Sequence, residues 1–295
     1  MKILVIGGSG VIGYKFVKLF EEKGYEVHYT YLGNEHKIGS SIPHKLDISD
    51  RVTTINLIKK INPSNVIHTA ALTNVDFCET NHDLAEKVNV EGTRNVVDGC
   101  KESGSKIVYI STSFVFDGKM ERFFEYDKRN AVNYYGLTKL CGENAVERSG
   151  IPYLILRTDQ PYTIVESWQK KNSVLKVLEK FQAKEAIMEP SDWWNTPTYV
   201  ENFIDVSAKL IKMDKDGIYN VVGSDFLSRY EWALKVADVF GGDKSLIQKI
   251  SSDEFNLPAK RPNVRLDNLR AQKDSGIRLF GVLEGLKMMR IRMES

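Results

Sequence analysis

Cysteine is scarce: the 295-residue chain has three, Cys78, Cys100 and Cys141. An odd number without paired spacing signals neither a disulfide framework nor a zinc site, and no other metal-ligating constellation appears. Long hydrophobic runs are missing as well. No stretch reaches the roughly 18 apolar residues of a membrane span, and "MKILVIGGSG" turns glycine-rich too early for the apolar core of a signal peptide. Excess charge of either sign is lacking: 41 Lys and Arg face 39 Asp and Glu, which gives no reason to expect nucleic acid or a membrane as partner. Repeats and low-complexity linkers are absent. What remains is ordinary globular composition, 42% hydrophobic and 27% charged, in a chain long enough for one large domain or two interlocked ones. A soluble, reduced, cytoplasmic protein is expected.

The first half alternates short β-branched runs with helical patterns. "KILVIGG" (2–8), "YEVHYTY" (25–31), "NVIHTAA" (65–71), "KIVYIST" (106–112) and "YLILRT" (153–158) read as strands buried on both faces. Helical periodicity lies between them at 11–23, 51–61, 83–104 and 135–150. This alternation predicts an α/β fold, a doubly wound parallel Rossmann-type sheet. After Arg157 the rhythm breaks into shorter elements around a Trp-bearing loop, "EPSDWWNTP". Residues 1–162 with 195–222 are expected to form the cofactor-binding domain, and 163–194 with 223–295 a smaller, interwoven C-terminal substrate lobe over the strand ends.

"GGSGVIG" sets Gly7, Gly10 and Gly13 between a strand and a helix. Gly7 permits the tight turn, Gly10 lets backbone approach a pyrophosphate, and Gly13 allows the helix to pack closely on the strand. The second strand ends without an acid from Val27 to Asn34. A carboxylate there would bind the ribose hydroxyls and repel a 2′-phosphate. Tyr29, Thr30, His36 and Lys37 could instead accept a phosphate, which favours NADP(H) over NAD(H). Asp47, after the next short strand, could meet the adenine amino group or cap the helix that begins near Arg51.

Tyr-x-x-x-Lys occurs twice. Tyr14 and Lys18 follow the glycine loop and point away from any substrate, whereas Tyr135 and Lys139 share one face of a later helix. A lysine there would lower the tyrosine pKa from about 10 and make proton donation to a carbonyl feasible. Ser111, Thr112 and Ser113, at the end of "KIVYIST", are candidate hydroxyls to orient that carbonyl; each could equally cap the turn.

"GGSGVIG", "HTAALTNVDFCE", "NVEGTRNV", "ISTSFVFDG", "YYGLTKLCGE" and "KRPNVRLD" stand in the order found in extended short-chain dehydrogenases. Over essentially its whole length the chain resembles the dTDP-4-dehydrorhamnose reductase family, and also the regulatory beta subunit of methionine adenosyltransferase. That resemblance implies Thr112, Tyr135 and Lys139 as the catalytic triad, Ala70 and Ala71 lining the cofactor, Asn89 tying the central strands, and Arg261 near a nucleotide sugar. The candidate cofactor contacts are therefore Gly7, Gly10, Val11, Ile12, Gly13, Asp47, Ile48, Ala70, Ala71, Tyr135 and Lys139; the candidate substrate contacts are Thr73, Val75, Ser113, Phe114, Trp194 and Arg261. Ser113 stands where these reductases often carry an acid, and "TDQPYT" lacks their usual Tyr-Gly ending.

A 4,6-dehydratase would need an Asp-Glu pair after Thr112, and a GDP-fucose-synthase type of epimerase-reductase a cysteine in that turn; "TSF" offers neither. Reduction of the C4 ketone of a nucleotide-linked 4-keto-6-deoxysugar, a step of dTDP-rhamnose biosynthesis, needs only hydride, Tyr135, Lys139 and a hydroxyl. C4 epimerisation would use the same residues, and a non-catalytic NADP-binding regulator could retain them. Expected partners are a nucleotide-sugar substrate and a second copy of the chain in a homodimer. His68 reads as a core histidine and Cys78 as no nucleophile. Asp76, Cys78 and Glu79 sit in a loop that could face substrate, while Trp193 and Trp194 could stack on a base or cover the lobe junction. Lys260, Arg261 and Arg265 suit a pyrophosphate or a solvated basic tail.

Overall fold

The computed structural model describes residues 2–294. Its first half runs β1 (Lys2–Ile6), α1 (Val11–Glu22), β2 (Glu26–Tyr31), β3 (Ile42–Lys45), α2 (Arg51–Ile61), β4 (Asn65–His68), α3 (Val75–Thr80), α4 (His82–Glu86), a π-helical turn (Lys87–Glu91), α5 (Gly92–Ser103), β5 (Lys106–Thr112), α6 (Tyr134–Glu147) and β6 (Tyr153–Thr158). The remainder is shorter-ranged: β7 (Pro161–Tyr162), α7 (Ser173–Ala183), β8 (Ile187–Pro190), β9 (Trp194–Asn195), β10 (Thr198–Tyr199), α8 (Val200–Lys212), β11 (Gly217–Asn220), β12 (Leu227–Ser228), α9 (Arg229–Phe240), β13 (Ile247–Ile250), α10 (Leu269–Ser275) and α11 (Val282–Glu294).

Seven strands form one parallel sheet in the order β11-β6-β5-β4-β1-β2-β3. The order reverses between β1 and β4, the switch point at which such sheets bind ligands. Central strands are buried on both faces, as their unbroken Val/Ile/Leu runs require. One core packs α1, α8 and α10 on one face (Phe16, Phe20, Phe203, Leu210, Ala271), and another packs α2 and α5 on the opposite face (Ile58, Val96, Cys100). A third core, built from α7, α9 and α11 around Tyr162, Trp232 and Leu286, lies outside the sheet.

The expected strands and helices of the first half appear within a few residues. The long helix expected over 83–104 is divided, because a π-helical turn interrupts it at Lys87–Glu91. That turn carries Asn89, whose side chain accepts from the Leu72 amide at 2.8 Å and donates to the Leu72 carbonyl and to Thr138 Oγ1, each at 3.0 Å. Asn89 thus ties the loop after β4 to α6, rather than strand to strand; π turns recur at such functional places. No helix among the described residues is long and apolar enough to cross a membrane.

Candidate active site

The glycine loop is built by steric exclusion. Gly7 has φ +83°, and a Cβ on it would lie 2.7 Å from the Ala70 amide nitrogen; a Cβ on Gly13 would collide with the Gly7 carbonyl oxygen. Gly10 differs, since a Cβ there would touch only that same oxygen, at 3.3 Å, and the residue is exposed. Beyond it α1 begins with no side-chain cap and no acid in its first turn. Uncapped amides at a helix N-terminus, facing open space beside glycine, fit a dinucleotide diphosphate. Val11, Ile12, Ala70 and Ala71 surround this cradle, each half-buried.

Two of the expected phosphate acceptors are occupied. Tyr29 is fully buried and donates its hydroxyl to the His36 carbonyl at 2.8 Å, and Thr30 Oγ1 accepts the Gly7 amide at 3.0 Å. Both therefore shape the loop; His36 and the exposed Lys37 remain on its outer side. Asp47 is exposed and accepts Ser49 N–H and O–H at 2.9 and 2.8 Å. It does not cap α2, because Asp50 takes that place with the Thr53 amide at 3.1 Å. Ile48 is buried in the core below it.

Tyr135 enters α6 beside the end of β5. Asn133 caps this helix through the Gly136 amide at 2.7 Å and donates to the Lys260 carbonyl at 2.9 Å. Glycine at 136 lets the helix press against the Phe114 carbonyl, where a Cβ would clash. The Tyr135 hydroxyl lies beside the Thr112 side chain, and Phe114 meets its ring edge-on at 6.3 Å. The three strand-end hydroxyls thereby separate. Ser111 and Ser113 are buried, and Ser113 donates to the Asp159 carboxylate at 2.9 Å; Thr112 is the one that lies beside the tyrosine. Placing Ser113 against substrate does not match this geometry, since its exposure is zero and its proton is committed.

The electrostatics also depart from expectation. Burial, with smaller contributions from Cys78 and Asp159, pushes the Tyr135 hydroxyl well above its usual range rather than below it. Lys139 is buried with its Nζ 4.0 Å from the Tyr109 ring centroid, and desolvation lowers it to about 7 despite the field of Glu143. Tyr135 is therefore a protonated donor throughout the physiological range, and Lys139 titrates near neutrality. His68 is pushed down to about 3 by burial and then by Lys139. Its Nε2 meets Thr93 Oγ1 at 3.1 Å, as a core histidine should.

The second Tyr-x-x-x-Lys is elsewhere: Tyr14 lies beside Glu166 and Lys18 faces Glu21 at 3.9 Å. Asp76, Cys78 and Glu79 serve the frame rather than an open site. Asp76 pairs with Arg261 at 2.6 Å, the Cys78 thiol is buried and pushed up to about 11, and Glu79 accepts the Tyr134 amide at 2.7 Å. Arg261 also lies 5.5 Å from the Trp193 ring, with Arg229 at 5.1 Å. Trp194 leans on Phe226 at 5.6 Å, with Arg265 at 5.9 Å from the Phe226 ring. These half-buried aromatics and arginines form one cluster at the lobe junction. Thr73 is exposed and Val75 opens α3.

Sequence reasoning missed Asp159. Its carboxylate takes Ser113 Oγ and the Thr196 amide at 2.9 and 2.7 Å, and burial raises its pKa to about 6. A lone acid in a strand-end "RTDQ" was the available signal. Among the described residues no His, Cys, Asp and Glu cluster could hold a metal ion.

A family model described as RmlD substrate binding domain matches residues 1–293. The chain belongs to this family. It is 27% identical to a probable low-salt glycan biosynthesis reductase of Haloferax volcanii, over 89% of this chain and 88% of that one. It is also 27% identical to the Xenopus tropicalis methionine adenosyltransferase 2 subunit beta, over 92% and 82%. Among solved structures it resembles a dTDP-4-dehydrorhamnose reductase of Bacillus anthracis in complex with NADP. The TM-score is 0.87 at 27% identity, covering 99% of each chain. Family membership accounts for the single frame in which glycine cradle, strand-end hydroxyl and α6 tyrosine meet.

Proposed function

We propose that the chain is an NAD(P)H-dependent oxidoreductase that reduces the C4 ketone of a nucleotide-linked 4-keto-6-deoxysugar. The observation that carries this reading is the adjacent Thr112 and Tyr135 side chains, with Lys139 on the same helix as Tyr135, at the end of the sheet that bears the glycine cradle. The bound nicotinamide supplies hydride. Thr112 holds the carbonyl, and Tyr135, kept neutral by burial, donates its proton as charge develops on the oxygen. Lys139 then stabilises the tyrosinate and holds the nicotinamide ribose. The turn Thr112–Ser113–Phe114 supplies no acid for C5 and C6 chemistry, and Asp159 is turned into Ser113 and Thr196.

NADP(H) is favoured over NAD(H), because no carboxylate stands between Val27 and Asn34 and Lys37 remains exposed. The Arg261, Trp193 and Trp194 cluster is the place for the nucleotide, with residues 163–194 and 223–295 as the substrate lobe and 1–162 with 195–222 as the cofactor-binding part. A regulatory reading is favoured by one observation, the similarity to a methionine adenosyltransferase subunit at the same identity. The deciding experiment is NADPH oxidation with dTDP-4-keto-6-deoxyglucose or its C5 epimer. Turnover that falls by about 10²–10⁴ in Tyr135→Phe, with cofactor affinity unchanged, is expected. Tight NADPH binding without turnover on any such sugar would replace this reading with the regulatory one.

A further inference from the structure

Residues 164–171, between β7 and α7, lie against the glycine loop, the start of α1 and the loop after β2. Gln169 donates from Nε2 to the Ser9 carbonyl in the glycine loop at 3.1 Å, and its Oε1 accepts the Glu166 amide at 3.1 Å. The Glu166 carboxylate lies beside the hydroxyl of Tyr14, in the first turns of α1. The Trp168 indole lies flat on His36, with centroids 4.4 Å apart and planes inclined by 7°, and meets Tyr14 edge-on at 6.1 Å. His36 belongs to the loop after β2. Glycine loop, first helix and second-strand loop are the three elements that surround the diphosphate and adenosine ribose in this fold.

The segment is not part of a buried core. Trp168 remains 38% exposed, so an indole already fixed on one side by His36 still presents aromatic surface beside the adenosine end of the cradle. Planar bases stack on such surfaces whatever their identity. The imidazole beneath fixes the ring's orientation, so little freedom remains to be lost when a base arrives. The contacts described for this segment include none of Thr112, Tyr135 and Lys139, which separates cofactor retention from proton transfer.

We propose that residues 164–171 form a strap that retains the cofactor, with Trp168 as the residue that recognises its adenosine end. The inference rests on the nicotinamide-cofactor reading above and assigns to that site a residue from outside the glycine loop. It also means that the segment leading into the substrate lobe holds the cofactor, so the two parts of the molecule meet on one ligand.

Calorimetric titration of the full chain with NADPH, and separately with NADH, tests this in wild type, Trp168→Ala and Trp168→Phe. Trp168→Ala is expected to raise the NADPH Kd about tenfold to a hundredfold, as loss of one base–aromatic stack does, and Trp168→Phe by less than about fivefold. Hydrogen exchange on the wild type gives a readout that needs no variant: NADPH should slow exchange at residues 7–13 and at 164–171 together. A Trp168→Ala Kd within twofold of wild type, or NADPH protection confined to 7–13, overturns the strap. Wild-type protein that binds neither nucleotide overturns the cofactor reading itself, a result that protection at 7–13 tells apart from failure of the strap alone.

Discussion

Arg157 and Lys139 are both buried cations near Glu143, one on β6 and one a turn earlier on α6, and they are treated differently. Arg157 is fully buried and forms a fork with Glu143: Nε to one carboxylate oxygen and Nη2 to the other, each at 2.8 Å, with Nη1 on the Glu125 carbonyl at 2.8 Å. Phe116 covers its guanidinium at 4.8 Å. Burial alone would raise the Glu143 carboxyl, but Arg157, with a further bond from Arg129, holds it below the usual range. Among the described residues no carboxylate lies within bonding distance of Lys139, which rests over an aromatic ring instead. A charge whose every nitrogen has a partner belongs to the frame. A charge left short of partners is available for chemistry.

Arg157→Met gives the largest expected effect, because it leaves the fully buried Glu143 carboxylate with Arg129 as its one remaining cation. Removing one partner of a buried pair costs about 3–5 kcal/mol, read as a lowered urea midpoint at unchanged slope. Arg157→Met/Glu143→Leu should recover much of that loss. A double variant as unstable as the single one would show that packing, not charge, dominates there.

Lys139→Met should act in the opposite direction on stability while abolishing turnover. Lys139 pays a desolvation penalty that no bonded carboxylate offsets, so an apolar chain of similar volume should stabilise, by about the 1–4 kcal/mol that replacing a buried ion pair can give. A variant that is both inactive and less stable than wild type would mean that Lys139 is a structural residue.

The pH dependence sharpens the same point. Lys139 titrates near 7 when folded, against 10.5 as its ordinary value. Between these values the unfolded chain binds a proton that the folded chain does not, so stability rises with pH across that window. Below about pH 7 the penalty is complete and constant. Subtracting the Lys139→Met profile from the wild type should leave a slope approaching about 1.4 kcal/mol per pH unit between pH 7 and 9. Asp159, raised to about 6 from 3.8, works the other way: its contribution is present at low pH and is lost as pH rises through 6.

How much of this contrast is legible in sequence differs between its two halves. Lys139 is found through Tyr135, because a helix places residues four apart on one face. Arg157 carries a weaker signal, an arginine ending the buried run "YLILR", which demands a partner without naming it. Glu143 is 14 residues earlier on another element, so only the packing of α6 on the sheet unites them. The sheet itself was readable from apolar runs, whereas α11 was not: its buried set Val282, Gly285, Leu286 and Met289 is brief and lies in an arginine-rich tail. The occupied state of Tyr29, Thr30 and Ser113 was equally hidden. Each is a polar side chain whose partner is a backbone atom or a carboxylate supplied by a distant turn.

The smallest expected effect separates the adjacent tyrosines. Tyr134 stacks on His82 with centroids 3.7 Å apart, and its hydroxyl reaches only Glu86, at 3.4 Å on the exposed side. Tyr134→Phe keeps the stack and removes one long, solvated hydrogen bond, worth a few tenths of a kcal/mol. Its kcat should stay within about twofold of wild type, beside the loss of several hundredfold or more for Tyr135→Phe. Comparable losses in both variants, at equal cofactor affinity, would transfer the proton donor from Tyr135 to the pair and dissolve the distinction that Thr112 draws between them.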